Sequence, residues 1–228
     1  MTDDPKPIAD LATKFLGDVD RLFADPKWQA RAAAEERDRS TRERRDTTTQ
    51  RLRSSGIVLD PDDLAAIVAG KLEDTPSLNA TRGWLGAPRR PILVLCGSVG
   101  VGKTLAGGWA IAARGGLFLR ATEIGKRMEP YQHEKRDGVE ILFPRSSGEV
   151  VVLDDLGLED LSDRRTRDGL IRFVEERASR RDLRTLITSN LPRASFRERY
   201  DARFVERLNH YAVAVDVPGP SKRRAGDL

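Results

Sequence analysis

The sequence predicts an α/β fold: a mainly parallel five-stranded sheet preceded by a helical N-terminal extension. From Pro91 onward, apolar runs of strand length alternate with helical patterns: Ile92 to Cys96, Leu117 to Leu119, Val150 to Leu153, Thr185 to Thr188 and Ala212 to Val217. These runs are continuous rather than alternating apolar with polar, which marks strands covered on both faces. Helical stretches between them supply the crossovers that parallel pairing needs. Ahead of Pro91 the chain reads as helical and charged instead.

The elements follow in chain order. Over residues 8 to 24, Leu11, Phe15, Val19, Leu22 and Phe23 recur at spacings of three and four, so they share one face of a helix. That face either packs on the protein's own core or docks on a partner. Residues 28 to 53 have helical composition but almost no large apolar side chain, so a helix here is expected to stay solvated and outside the core. Beyond Gly56, Asp60-Pro61 is a helix start, an N-cap with proline at the first helical position, and the helix should run through Val68 to Gly70. Thr75-Pro76 repeats that signal for a second helix carrying Leu78, Trp84 and Leu85 up to the break at Pro88 to Pro91. The expected organisation is a helical, charged extension over 1–50, a helical connection over 51–90 and the α/β core over 91–228.

Composition narrows the function. At 228 residues the chain can bury a core of its own. Its one cysteine, Cys96, excludes an intramolecular disulfide and a cysteine-based zinc site, and is expected to be a small buried residue. A reducing cytoplasm is the expected compartment. Acidic residues occupy the start where a signal peptide needs basic ones, and no stretch approaches the roughly 18 apolar residues of a membrane span. The net charge of +4 is carried by residues 27 to 53, which hold nine Lys/Arg against five Asp/Glu. Such a stretch suits nucleic acid, an acidic protein surface or simple solubility.

The chemistry sits at the ends of the predicted strands. Gly97-Ser98-Val99-Gly100-Val101-Gly102-Lys103-Thr104 fits G-x-x-x-x-G-K-[ST], with a strand before it and a helix running on through Leu105. Glycines let the backbone curl so that successive N–H groups converge on phosphates at the positive end of the helix. Lys103 should then reach the β and γ phosphates of ATP, and the Thr104 hydroxyl should ligate Mg²⁺. Val150 to Leu153 ends in Asp154 and Asp155, at the strand edge where open α/β sheets bind ligands. Asp154 is expected to hold Mg²⁺ and Asp155 to orient and deprotonate the attacking water. A plain acidic turn after a strand is the structural alternative.

Thr188-Ser189-Asn190 ends the next strand in the same way, and Asn190 is either a contact to the γ-phosphate or water, or a turn residue. In Arg203-Phe-Val-Glu-Arg207-Leu208, Phe204 and Leu208 share a helical face, while Arg203 is either solvated or an arginine finger at a subunit interface. His133 and His210 have no ligand-spaced partners and are given no role. Lys126, Arg127, Lys135 and Arg136 are candidates for DNA contact or ordinary solvated charge.

From about Arg51 to Arg223 the order of motifs resembles the DnaC-like helicase loaders and the IstB-like transposition ATPases of the AAA+ class. The resemblance rests on Arg51-Leu-Arg-Ser-Ser-Gly-Ile57, Val152-Leu-Asp-Asp-Leu-Gly157, Thr188-Ser-Asn-Leu191, Arg203 to Leu208 and a degraded closing Gly219-Pro-Ser-Lys-Arg223. Val58 stands where those proteins usually have proline. The resemblance implies a RecA-like AAA+ core with little or no helical lid, subunits meeting in a ring or spiral, ATP bound between neighbours and single-stranded DNA along the inner surface. It also implies that Arg203 is the arginine finger and that residues 1–50 select the partner.

Three functions follow as expectations. The first is a DnaC-like loader whose homo-oligomer holds single-stranded DNA and a replicative helicase, with slow, switch-like hydrolysis because Asp155 is shorter than glutamate. The second is an IstB-like ATPase that assembles on duplex DNA and recruits a transposase. The third is an interaction module in which nucleotide serves assembly alone. A small-molecule kinase is disfavoured, because nothing between Leu117 and Gly148 forms a clear acceptor site.

Overall fold

The computed structural model describes residues 25–127, 149–179 and 182–220, in two compact units that divide between Thr47 and Thr48. The predicted helix over 8 to 24 and residues His133, Lys135, Arg136 and Arg223 lie outside the described residues.

Helix α1 (Pro26–Ser55) runs through both units. Up to Thr47 it is almost wholly exposed, as its lack of an apolar stripe requires, and Arg39 and Glu43 pair along it at 3.0 Å. In the second unit its last turn departs from the solvated helix expected for residues 28 to 53. Leu52 is only 2% exposed and belongs to a core cluster with Trp84, Leu85 and Ile111. One leucine is too little to show as a periodic stripe, but it is enough to anchor a helix end. Leu52→Ala is therefore expected to lower unfolding stability by about 2–5 kcal/mol, read as a shifted denaturation midpoint with unchanged slope.

The two connecting helices start and stop where the sequence signals them. In α2 (Pro61–Ala69) the Asp60 carboxylate accepts from the Asp62 N–H and Gly70 closes the helix in left-handed conformation. In α3 (Pro76–Gly86) the Thr75 hydroxyl caps the Leu78 N–H, and Leu78, Trp84 and Leu85 are all buried. Five strands follow: β1 (Ile92–Cys96), β2 (Gly116–Arg120), β3 (Val150–Leu156), β4 (Arg184–Ser189) and β5 (Ala212–Asp216). Between them lie α4 (Lys103–Arg114), the short α5 (Ile124–Arg127), α6 (Arg164–Ser179), the short α7 (Phe196–Arg199) and α8 (Ala202–Tyr211).

All four ladders are parallel, in the order β2-β3-β4-β1-β5. The sheet is covered on both faces, which is why its strands read as unbroken apolar runs. One face, through Leu93, Leu95, Val152 and Leu186, packs on α4 and the connecting helices. The other, through Ile92, Val94, Val151 and Ile187, packs on α6 and α8. Helix α4 lies so close to β3 that a Cβ on Gly107 would stand 2.9 Å from Val152 Cγ1. Arg51 donates to the carbonyls of Ala112 and Ala113 at 3.0 and 2.8 Å, satisfying the C-terminal end of α4. This strand order sets the C-terminal tips of β3, β4 and β1 side by side.

Candidate nucleotide-binding site

Between β1 and α4 the chain makes a tight loop from Gly97 to Gly102. Gly100 and Gly102 have φ of 85° and 82°, in the left-handed region that glycine tolerates. Gly102 is the N-cap of α4 and makes no side-chain cap bond, so no capping side chain covers the helix start. The Gly97 N–H continues the β1–β4 ladder by donating to Ser189 O at 3.2 Å. Ser77 on α3 braces the loop by donating to Val101 O at 2.9 Å. Val101 is buried, Val99 is exposed and Leu105 packs against the core under the loop.

Lys103 is buried at the start of α4, and its ammonium donates to Gly97 O, Ser98 O and the Asn190 side-chain oxygen at 2.9, 2.7 and 2.9 Å. Next to it, the Thr104 hydroxyl lies 3.1 Å from both oxygens of Asp154. Asp154 is 4% exposed. Burial above all pushes its carboxyl up from the ordinary aspartate value, and the neighbouring Asp155 adds to this. Bonds from Thr188 and Thr104 and the charge of Lys103 oppose it.

The tip of β3 is not a regular strand. Pairing with β4 runs Leu153 to Ile187 and resumes at Leu156 with Ser189, so one extra residue is accommodated at Asp154-Asp155. Asp155 takes φ of 57°, and it is the one non-glycine residue with positive φ among the described residues. A left-handed backbone is tolerated by aspartate and asparagine because their short side chains avoid the clash that longer ones meet. Thr188 makes good the interrupted ladder: it accepts from the Asp155 N–H at 3.0 Å and donates to Asp154 at 2.6 Å. Asn190 completes the cluster. Its amide nitrogen stands 3.3 Å from an Asp155 oxygen while its own oxygen holds Lys103, so one side chain bridges the loop lysine and the second carboxylate.

Lys103, Thr104, Asp154, Asp155 and Asn190 are thus contiguous in space. Arg203 stands apart, in the first turn of α8, where Asp201 caps the helix by accepting from Phe204 N–H at 2.8 Å. Its guanidinium donates twice to Glu175 Oε1 on α6, at 3.1 and 2.7 Å, and Arg207 lies 3.6 Å from the same oxygen. Phe204 and Leu208 are buried on the face below it, His210 stacks edge-on with Tyr211, and Lys126 is exposed. In the sequence Thr188 was visible as a strand end and in the Thr188–Leu191 segment but carried no role of its own, and its bridging position depends on the irregularity of β3.

The donor set fits Mg²⁺ with a phosphate chain. Thr104 and Asp154 offer a hydroxyl and a carboxylate, oxygen ligands of the kind Mg²⁺ takes alongside phosphate oxygens. They stand at an uncapped helix start beside a lysine. No helix among the described residues is long and apolar enough to cross a membrane.

Comparisons with known proteins agree with this geometry. The family model of the IstB-like ATP binding protein matches residues 84–227. No curated protein matches the chain. Among solved structures, the DnaC helicase loader is similar at 24% identity and a TM-score of 0.51, over 70% of this chain and 100% of that one. Domain III of the replication initiation protein DnaA from Thermotoga maritima is similar at 16% identity and a TM-score of 0.55, over 72% of this chain and 70% of that one. At these identities the structural likeness establishes the fold, the α/β AAA+ P-loop class that the strand and motif order predicts.

Proposed function

The chain belongs to the IstB-like ATP binding protein family, and from that premise we propose that it is a slow, switch-like ATPase of the helicase-loader kind, acting on single-stranded DNA as a homo-oligomer. The observation that carries the hydrolysis in this reading is the bridge from Lys103 through Asn190 to Asp155, with Asp155 held in left-handed conformation beside it; the loader role rests on the resemblance of the motif order. A nucleotide site that only anchored ATP would need the loop and the lysine. It would not need a second carboxylate placed by an irregular strand and tied to the lysine through an amide.

On this reading the backbone from Gly97 to Leu105 and the Lys103 ammonium bind the phosphates of ATP. Thr104 and Asp154 hold Mg²⁺, which when bound offsets the negative charge of the phosphate oxygens. Asn190 orients a water against the γ-phosphate and Asp155 takes its proton, giving ADP and phosphate. Arg203 of one subunit meets the phosphates bound by its neighbour. Residues 1–50 select the partner, a replicative helicase.

Asp155→Asn tests the carboxylate's role with little else changed. Asparagine has the same size and tolerates the same backbone, so ATP binding is expected to stay near normal while turnover drops about a hundredfold to ten-thousandfold. Titration with a fluorescent ATP analogue and phosphate release measure the two separately. Normal turnover by this variant sinks the assignment.

The family match favours a second reading, an IstB-like ATPase that assembles on duplex DNA and recruits a transposase. ATP turnover measured with single-stranded and with duplex DNA separates the two. Stimulation by single strands supports the loader reading; stimulation by duplex alone overturns it in favour of the second, and indifference to both DNAs overturns both.

A further inference from the structure

The loop between β3 and α6 holds a carboxylate that the reaction described above does not use. Glu159 is 2% exposed, and a carboxylate so buried persists only where its oxygens are bonded. One oxygen accepts from the Gly157 N–H at 2.7 Å, two residues beyond Asp155. The other accepts from the Tyr200 hydroxyl at 2.6 Å and lies 3.4 Å from the Arg199 guanidinium. Arg199 also donates to the backbone carbonyl of Glu159 at 2.7 Å. Burial, and then the bond to Glu159, push the Tyr200 phenol above its ordinary value, so it remains a donor at neutral pH.

Each end of this contact is itself fixed. On one side, Gly157 lies against Leu191, the residue after Asn190, so closely that a Cβ would stand 2.8 Å from the leucine side chain. On the other, the Tyr200 ring is wedged between Phe196 and Phe204, with centroids 5.6 and 4.7 Å away. Phe204 neighbours Arg203 in the first turn of α8. One buried carboxylate therefore joins the turn that follows Asp155 to the corner from which the arginine-bearing helix starts.

We propose that Glu159 is a positioning residue that fixes the acidic turn and the arginine-bearing corner as one body, so that a single buried contact sets both a subunit's own Asp155 and the Arg203 it offers to its neighbour. The proposal rests on the reading of Arg203 as acting between subunits. Neither half needs Glu159 to touch nucleotide.

Two full-length variants test it. Glu159→Gln keeps the shape but turns an amide donor toward groups that already donate, and Tyr200→Phe removes one hydroxyl. Both are expected to bind ATP as the parent does and to melt at a lower temperature, because a buried contact loses a partner, with kcat lowered about tenfold to a hundredfold at temperatures where both stay folded. Mixing then reads the arginine. Lys103→Ala chains carry an intact Arg203 and Arg203→Ala chains an intact nucleotide site, so turnover recovered in their mixture establishes action between subunits. When Glu159→Gln or Tyr200→Phe chains replace the Lys103→Ala chains, little recovery is expected.

Recovery equal to the reference mixture, with parental kcat in the unmixed variants, overturns the proposal. If the reference mixture itself does not recover, the reading of Arg203 falls and the unmixed variants decide the remaining half. Parental kcat then overturns it, whereas reduced kcat at unchanged ATP affinity sustains it. Should Glu159→Gln fail to fold, Tyr200→Phe carries both measurements.

Discussion

Lys103→Ala is expected to weaken ATP binding by about a hundredfold or more and to leave no measurable turnover. The ammonium is the buried positive charge of the loop, and it donates to three acceptors, Gly97 O, Ser98 O and the Asn190 oxygen. On the proposed reading a phosphate chain entering the loop would exchange with these acceptors, and the lysine would be both the anchor for ATP and the tie that holds Asn190. Alanine removes both. The fold should survive, because the loop stays braced by Ser77 on Val101 O and by the Gly97 ladder bond to Ser189. Calorimetric titration with Mg-ATP measures the affinity and a thermal melt checks the fold. Parental affinity in a folded Lys103→Ala chain would remove the lysine from the phosphate site.

Arg203→Ala is expected to reduce turnover about a thousandfold or more, but only where subunits assemble. Within one chain Arg203 is paired with Glu175, and its side chain is 64% exposed. An exposed pair of that kind contributes at most about 1 kcal/mol, so the arginine can exchange Glu175 for the more concentrated charge of a phosphate on a neighbour. Lysine at this position should not restore the rate, because it lacks the planar fork that spans two oxygens. ATP affinity should be unchanged in dilute solution. Phosphate release on either side of the assembly concentration measures this. An equal loss in a preparation shown to be monomeric contradicts action between subunits.

Much of the fold was legible in the sequence, for identifiable reasons. Strands buried on both faces leave continuous runs such as Ile92 to Cys96 and Val150 to Leu153, and the helix starts at Asp60-Pro61 and Thr75-Pro76 carry a cap and a proline in adjacent positions. The loop from Gly97 to Thr104 was legible because its backbone demands glycine at fixed places. Other features leave no pattern. Leu52 is a single apolar residue at the end of a charged helix, and its burial depends on Trp84 and Ile111 far along the chain. The left-handed turn at Asp155 follows from an extra residue in β3 relative to β4, which is a property of the pairing and not of either strand. Glu159 and Tyr200 are 41 positions apart and meet only because α7 folds back under the β3 turn. Sequence spacing shows what one element carries, whereas contacts between elements appear only with the fold.

The most direct test of an ATPase completed between subunits is phosphate release by the full chain with Mg-ATP across a protein concentration series. Turnover per subunit is expected to be close to zero in dilute solution and to climb steeply over the range in which the chain assembles. Turnover per subunit that stays constant throughout, in a protein that remains monomeric at every concentration, would contradict it.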